Sequence, residues 1–264
     1  MRFLYPSSPL NSRQADDFYE LERSAAQSAG LATALWLEES ARISPAPSAG
    51  EVVVYRGWML RAPEYARLQT LVEVTGARLL TPLAMYTRTH HLPEWYGLLE
   101  EFTPRTRFFE NAEAAVTALE FESGPFFVKD WVKSLSSARG SIAVNASQIA
   151  EIAADLCNYR GSLEGGLCVR EVEMFDNATE DRFFVVQGEV FARSGIAPEI
   201  VQTAASRISS AFFTIDAVRR GDGVWRIVEL GDGQVSDLKD WTLEQFMPVL
   251  TRLDQISSIA SPKL

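Results

Sequence analysis

The chain has 264 residues, a formal net charge of −10 and a hydrophobic fraction of 47%. This composition is typical of a folded globular protein and excludes an intrinsically disordered chain. The acidic excess lies mainly in residues 106–264, which contain 15 basic and 23 acidic residues. Because an acidic surface repels phosphate backbones, we do not expect nucleic acid to bind through a general basic face.

The sequence carries no signal for a membrane or an oxidising compartment. No apolar run reaches the roughly 18 residues of a membrane-spanning helix, and the apolar N-terminus is broken at Pro6, too early for a signal peptide. The two cysteines, Cys157 and Cys168, form no CxxC pair, and we interpret both as buried thiols. We therefore predict a soluble cytoplasmic protein without a membrane partner.

Strands and helices alternate in the first part of the chain. A short strand at 3–5 precedes a helix from about Gln14 to Ser28, whose buried face is predicted to contain Phe18, Leu21 and Ala25. Pro63 opens a second helix that stops at Gly76. This alternation predicts a small parallel α/β unit over residues 1–104. Its other predicted strands are Ala32–Leu37, Glu51–Tyr55 and Leu79–Leu80.

Two motifs in this unit have a functional and a structural interpretation. Arg56-Gly57-Trp58 follows a strand end, where α/β sheets place ligand contacts, yet a structural arginine explains it equally well. His90-His91 suggests a metal site, but adjacent side chains point in different directions and no third ligand is near in sequence. We therefore predict a loop or surface position for the two histidines.

The second part of the chain, 105–264, begins with a helix at Asn111–Glu120 and a strand that ends at Lys129. A polar loop follows, and Asn145 with Gln148 forms a capping box for a helix that Gly161 ends. Gln187-Gly188 and Gly221-Asp222-Gly223 are turn signals between strands. The predicted strands are 167–175, 182–186, 189–192, 211–218 and 224–230, with a helix after Pro198 and a last helix capped by Thr242 and Gln245.

The strongest chemical signal is the hairpin formed by residues 212–230. If its loop is Arg220–Gly223, Asp216 and Glu229 lie on one face as diagonal neighbours, about 7–8 Å apart at the backbone and near enough to share a cation. A slip of one residue would separate them, and two solvated strand carboxylates are the alternative interpretation. Asp232, in a Gly-Asp-Gly segment, is either a third oxygen ligand or part of a tight turn.

Several motifs follow one another in a characteristic order: Pro125–Lys129, a Ser/Gly loop, Arg170-Glu171-Val172-Glu173, 182–190, Ile215-Asp216 and 229–233. This order resembles the ATP-grasp superfamily, in particular a bacterial and phage clade named for two arginines and a lysine. The resemblance covers roughly residues 105–240. It implies a mixed α/β (α+β) fold, with an ATP-grasp core of antiparallel sheets and helices at 105–264 after the N-terminal α/β unit at 1–104.

The resemblance implies ATP and Mg²⁺ as cofactors and gives each matching position a role. Most ATP-grasp ligases have Glu-x-Asn at the metal site, whereas this chain has Glu229-Leu230-Gly231, so Asp232 would replace the asparagine. The implied nucleotide-binding residues are Lys129 and Lys133 at the phosphates, Arg139 in a flexible Ser134–Gly140 lid, and Glu171 and Glu173 near the ribose or adenine. The implied catalytic arginines are Arg170 and Arg182, and the implied metal ligands are Asp216, Glu229 and Asp232.

The implied reaction is ATP-dependent ligation of a carboxylate to an amine through an acyl phosphate, with small-molecule or peptide substrates. No protein nucleophile is required, which agrees with the lack of a Ser/His/Asp or Cys/His set in the sequence. Two alternatives remain open: a non-catalytic nucleotide-binding module, and an ATP-dependent modifier of a nucleic-acid end or a protein. The sequence does not reveal the substrates, the number of metal ions or the oligomeric state. A homodimer is the one assembly that we consider.

Overall fold

A computed structural model describes residues 1–135 and 140–259 of the chain. These residues form two compact units, neither of which is continuous in sequence. The predicted domains, 1–104 and 105–264, are continuous, and their boundary stays a prediction. Unit 1 comprises Met1–Thr87, Arg182–Ile215 and Gly231–Leu264, and unit 2 comprises Arg88–Asp181 and Asp216–Leu230.

The first elements of the chain form a five-stranded sheet in the order β3-β2-β1-β4-β5. The strands β2, β1, β4 and β5 pair in parallel, and β3 is antiparallel to β2, which confirms the predicted α/β unit. The elements are β1 (Arg2–Pro6), α1 (Glu20–Ser28), β2 (Ala32–Leu37), β3 (Arg42–Ser44), β4 (Val52–Tyr55), α2 (Ala62–Glu73) and β5 (Arg78–Leu79).

The next elements build a four-stranded sheet in the order β6-β9-β7-β8, in which every pair of neighbours is antiparallel. Asn145 caps its long helix by accepting a hydrogen bond from the Gln148 N–H, and Gly161 ends that helix with φ +80°, both as predicted. The elements are α3 (Leu83–His90), α4 (Leu92–Leu99), β6 (Thr106–Phe109), α5 (Ala112–Leu119), β7 (Phe126–Asp130), β8 (Ile142–Ala143), α6 (Ala146–Arg160) and β9 (Leu167–Glu171).

The last elements form a second four-stranded sheet in the order β11-β10-β12-β13, followed by a C-terminal helix. Gln187 and Gly188 both have positive φ, which confirms the predicted two-residue turn between β10 and β11. The elements are β10 (Phe175–Val186), β11 (Glu189–Ala192), α7 (Glu199–Arg207), β12 (Phe212–Arg220), β13 (Trp225–Asp232) and α8 (Leu243–Ile259). No helix in the described ranges combines the length and apolarity needed to cross a membrane.

Several expectations about local structure were wrong or incomplete. The predicted strand 167–175 is two strands, because β9 ends at Glu171 and β10 begins at Phe175. The helices α3 and α4 were not predicted, and His90 lies buried at the end of α3 instead of on a surface loop. The first helix starts at Glu20, and Phe18 and Leu21 are exposed, whereas Glu22 and Ala26 face the core.

Glu22 is buried because it forms an ion pair with buried Arg56. The guanidinium donates to both carboxylate oxygens at 2.8 Å. Its remaining nitrogen, Nη1, donates to the carbonyls of Gly233 at 2.6 Å and Ser236 at 3.0 Å. Arg56 therefore holds α1 and the segment after β13 together, which supports the structural interpretation of the arginine.

Replacing Arg56 by Met should destabilise unit 1 strongly, because it leaves a buried carboxylate and two carbonyls without their donor. We expect a loss of about 3–5 kcal/mol in the free energy of unfolding, measured by urea denaturation. Arg252→Met is the control, because Arg252 forms an exposed pair with Glu189, and it should cost less than about 1 kcal/mol. Equal losses in the two variants would contradict the role of Arg56.

Candidate functional site

Unit 2 contains a cavity of about 450 Å³ between its antiparallel sheet and the β12–β13 hairpin. Five of the residues singled out by sequence analysis line it: Lys129, Arg170, Glu171, Glu173 and Glu229. Apolar side chains from both sides complete its wall, among them Phe127, Ile142, Val172, Val218 and Val228. An apolar cavity with charged groups in its wall suits a ligand that has an apolar ring and an anionic tail.

Lys129 is the buried cation of this cavity. It lies on β7 opposite Cys168 of β9, and only 4% of its surface is exposed. Burial lowers the pKa of the ammonium, and the Glu229 carboxylate opposes this shift. The described residues supply no hydrogen bond or ion pair to the ammonium. A desolvated cation that faces a cavity favours an anionic ligand, because the ligand supplies the missing counter-charge.

A turn after β7 positions the second lysine. The Asp130 Oδ1 atom accepts hydrogen bonds from the N–H groups of Val132 at 2.7 Å and Lys133 at 2.6 Å, and Oδ2 accepts from the Glu164 N–H. This turn brings the Lys133 ammonium to 3.4 Å from Glu229. Sequence reasoning missed Asp130, although an Asp two or three residues before the loop is typical of a side-chain-capped turn.

The segment that joins β9 to β10 forms one end of the cavity. Its two glutamates differ in their surroundings: Glu173 pairs with Arg226 at 2.8 Å, whereas Glu171 is mostly exposed and lies 3.6 Å from Arg105. The backbone at Val172, between the two glutamates, is not part of a strand, so its N–H and carbonyl groups do not pair with the neighbouring strands of the sheet. Glu171 is therefore the more accessible of the two carboxylates for a ligand.

The hairpin changes register along its length. At its open end the Gly233 N–H donates to the Phe212 carbonyl, and at its loop the Arg220 N–H donates to Val224. The loop is therefore Gly221–Gly223, one residue shorter than predicted. Between these two hydrogen bonds, β12 contributes residues 213–219 and β13 contributes residues 225–232. The β13 side is therefore one residue longer, and the pairing counted from the open end differs by one residue from the pairing counted from the loop. This is a β-bulge.

Two hydrogen bonds place the bulge at Ile227 and Val228. Thr103 Oγ1 donates to the Ile227 carbonyl at 2.8 Å, and Arg170 Nη1 donates to the Val228 carbonyl at 2.8 Å. In a regular strand, successive carbonyls point in opposite directions, so only one of these two could face away from β12. Here both carbonyls accept from groups outside the hairpin, which shows that the strand is irregular at this point. Arg170 Nη2 also donates to Thr103 Oγ1, so one buried clasp holds both carbonyls.

The bulge decides which face Glu229 occupies. From the open end of the hairpin, Phe212 pairs with Gly233 and Thr214 with Gly231, where a Cβ would meet Thr214 Oγ1. In this register Asp216 lies opposite Glu229, with both side chains on the same face. Val218, two residues further along β12, lines the cavity on that face. The register at the loop alone would have put the two acids on opposite faces. The structure thus brings Asp216 and Glu229 together, although by a different pairing from the predicted one.

The arginine clasp itself is buried. Arg170 is 4% exposed, and burial lowers its pKa to about 10. Its Nε atom has no hydrogen-bond partner among the described residues, while both Nη atoms are engaged. Arg170 therefore contributes positive charge to the cavity wall and at the same time supports the strand that carries Glu229.

Arg182 and Asp232 belong to unit 1, where Arg182 pairs with Asp237, and Asp232 Oδ1 accepts hydrogen bonds from the backbone and side chain of Gln234. Arg139 lies outside the described residues. Across those residues no three His, Cys, Asp or Glu side chains are grouped closely enough to hold a metal ion.

Position 231, where the resemblance implies a metal-ligand side chain that this chain lacks, is closely packed. A Cβ at this position would lie 2.8 Å from Thr214 Oγ1 and 2.9 Å from Ser236 Oγ. These two hydroxyls hydrogen-bond to each other at 2.8 Å and fill the space that a side chain would need. A third ligand therefore does not come from position 231 without rearrangement of both hydroxyls.

Residues 118–250, half of the chain, match the family model of the ATP-grasp domain, R2K clade family 3. No curated protein matches the chain by sequence. Solved structures with low sequence identity share its fold.

Three of these structures cover nearly the whole chain. D-cycloserine synthetase DcsG is 15% identical with a TM-score of 0.63, over 96% of this chain and 99% of that one. Macrocyclase MdnC from Microcystis aeruginosa MRC, solved with precursor peptide MdnA, is 13% identical with a TM-score of 0.59, over 96% and 100%. ATP-grasp ligase PsnB, solved with a minimal precursor, Mg and ADP, is 14% identical with a TM-score of 0.58, over 95% and 96%.

Replacing Lys129 by Met should stabilise the ligand-free protein, because it removes a buried charge and keeps the apolar volume. At pH 7 we expect a gain of about 1 kcal/mol in the free energy of unfolding. The folded-state pKa lies below the unfolded value of about 10.4, so the charged lysine destabilises the fold fully below its folded pKa. That penalty disappears as pH rises through this window, and the advantage of the variant should shrink towards pH 10.

Urea denaturation at pH 7 and pH 10 measures both effects. Lys133→Met is the matched control, because 43% of its side-chain surface is exposed and its removal should change stability little. A Lys129→Met protein that is less stable than wild type at pH 7 would show that the ammonium has a stabilising partner.

Proposed function

Because this chain belongs to the R2K clade of ATP-grasp proteins, as a member of its family 3, we propose that it is an ATP- and Mg²⁺-dependent ligase that joins a carboxylate to an amine. The observation that carries the proposal is the buried Lys129 ammonium, which receives no hydrogen bond or ion pair from the described residues and lies in the wall of a cavity that Glu229 also lines. The nucleotide would lie in this cavity, with its phosphates at Lys129 and its base beside the segment from Glu171 to Met174.

The charged residues of unit 2 divide into two sets in this proposal. Lys129, Lys133 and Arg170 offset the negative charge of the phosphates. Asp216 and Glu229, which lie opposite each other on one face of the hairpin, would hold Mg²⁺. These carboxylates fit Mg²⁺, which takes oxygen ligands and is usually bound by one or two carboxylates together with the phosphates of a nucleotide. When bound, Mg²⁺ neutralises charge on the phosphates.

The proposed reaction has two steps. An oxygen of the substrate carboxylate attacks the γ-phosphorus of ATP, the bond from that phosphorus to the bridging oxygen breaks, and ADP leaves. The amine then attacks the carbonyl carbon of the acyl phosphate, phosphate leaves, and the nitrogen loses a proton. The first step converts a poor leaving group into a good one, so the chain needs to supply only positioning and positive charge.

The related structures support a ligase but do not narrow the substrate. One neighbour is named a D-cycloserine synthetase, and two were solved with precursor peptides. We therefore keep both small-molecule and peptide carboxylates and amines as the substrate class, and we propose a cytoplasmic enzyme. Arg139, Arg182 and Asp232 remain proposed participants.

Thermal melting with AMPPNP and Mg²⁺ tests the nucleotide site. We expect the melting temperature to rise by about 5 °C at saturating ligand, and only when Mg²⁺ is present. Glu229→Ala and Lys129→Met should lose most of this shift, because one removes a metal ligand and the other the phosphate cation. Asp222→Asn is the control, because Asp222 lies in the loop of the same hairpin and asparagine keeps its acceptor for the Val224 N–H.

The outcomes separate the candidate functions. A shift that does not depend on Mg²⁺ would favour a nucleotide-binding module without catalysis. A shift of equal size in Glu229→Ala would contradict the metal assignment.

Product analysis tests the reaction type. With ATP, a panel of carboxylates and hydroxylamine as the amine, we expect ADP, phosphate and the hydroxamate that forms when hydroxylamine captures an acyl phosphate. Lys129→Met should reduce the rate by at least about 100-fold, the usual effect of removing one charge-stabilising group. Formation of AMP and pyrophosphate would exclude the acyl-phosphate route.

A further inference from the structure

A second candidate site lies in unit 1, at the carboxyl edge of the parallel sheet. The strand order reverses there: the chain leaves β1 to form β2 on one side, and later returns to place β4 on the other side of β1. The segments that follow β1 and β4 therefore both leave the sheet at this reversal point. In open α/β sheets such a reversal point is where ligands bind.

Three aromatic side chains contact one another at this edge: Phe18 and Tyr19 from the segment after β1, and Trp58 from the segment after β4. The ring centroids of Trp58 lie 4.9 Å from Phe18 and 5.1 Å from Tyr19, and Phe18 and Tyr19 lie 5.1 Å apart. Tyr19 is buried, whereas Phe18 is 57% and Trp58 47% exposed. Phe18 and Trp58 therefore present two adjoining aromatic rings to solvent at the edge where open α/β sheets bind ligands.

The backbone around these rings is fixed before any ligand arrives. The Phe18 N–H donates to Asp16 Oδ1 at 3.0 Å, and the Tyr55 hydroxyl donates to the Trp58 carbonyl at 3.1 Å. A Cβ on Gly57 would lie 2.3 Å from the Tyr55 hydroxyl, so only glycine lets the chain pass over that ring. The cluster is therefore preorganised, which lowers the entropic cost of binding.

The charge around the cluster is negative. Three arginines of unit 1 already pair with carboxylates: Arg56 with Glu22, Arg23 with Glu20 and Arg182 with Asp237. Asp16 forms no ion pair with any described residue. Burial raises the pKa of Tyr19, Arg56 opposes the shift, and Glu22, Asp16 and Asp237 add to it.

We propose that this aromatic cluster binds a cation carried on an apolar framework, an ammonium or guanidinium group of the amine substrate. The inference rests on the proposed function for the role of that amine. Aromatic faces attract cations through their quadrupole, and the Asp16 carboxylate adds Coulomb attraction. A nucleotide base would also stack here, but its phosphates would meet the same carboxylates. The cluster thus distinguishes the amine substrate from ATP by the sign of its charge.

Saturation-transfer NMR with two simple probes tests the proposal without ATP or Mg²⁺. Phenethylamine and 3-phenylpropionate have the same ring and linker but opposite charge at pH 7. We expect phenethylamine to bind about tenfold more tightly. Equal affinity for the two probes, or no saturation transfer to phenethylamine, would overturn the proposal.

Three variants locate the binding. Trp58→Leu removes an aromatic face but keeps apolar volume, and should weaken phenethylamine binding about fivefold. Asp16→Asn removes the charge but keeps the Oδ1 acceptor for Phe18, and should bring the affinities for the two probes closer together. Phe121→Leu, at an exposed aromatic outside the cluster, should change neither affinity. Unchanged binding in Trp58→Leu would place the probe elsewhere and overturn the proposal.

Each protein is also tested for the rise in melting temperature with AMPPNP and Mg²⁺. That signal reports on the cavity of unit 2, so failure of the nucleotide assignment and failure of the amine site are observed separately. If the wild-type protein binds phenethylamine selectively but its melting temperature does not rise with AMPPNP and Mg²⁺, the cation site is supported and the proposed ligase activity is contradicted.

Discussion

The candidate site depends on one buried arginine that holds an irregular strand. Arg170 and Thr103 bind the carbonyls of Ile227 and Val228, and these bonds support the extra residue in β13. Without that residue, the register at the loop would put Glu229 and Asp216 on opposite faces of the hairpin. A bulge beside a site is a common way to aim a side chain. The position of Glu229 is therefore set by residues far from it in sequence.

The same cavity combines two desolvated cations that destabilise the fold. Burial lowers the pKa values of both Lys129 and Arg170. Arg170 regains stability through its hydrogen bonds to the protein, whereas Lys129 receives none from the described residues. Lys129 can therefore form its strongest interactions with a ligand. A functional site commonly lowers the stability of the fold in this way. Unit 1 contributes its own recognition surface, an aromatic cluster with negative charge.

Local sequence signals predicted many elements correctly because their causes are local. The turn at Gln187-Gly188, the cap at Asn145 and the glycine at the end of α6 each depend on a few adjacent residues. The last helix begins at Leu243, directly after the predicted cap residue Thr242, which exchanges hydrogen bonds with Gln245. The face of α1 was wrong because a charged residue, Glu22, is buried with Arg56, 34 positions away. No local pattern contains that information.

The class of fold, the order of the motifs and the residue types of the site all follow from the amino-acid sequence alone. Lys129, Arg170, Glu171, Glu173 and Glu229 were all named from it, and the structure brings them to one cavity. Only the tertiary structure decided the pairing of Asp216 with Glu229, the burial of His90 and the role of Asp130 in the turn before Lys133. Side-chain types and local caps are properties of neighbouring residues. Register and burial depend instead on contacts between distant segments, which form only when the chain is folded.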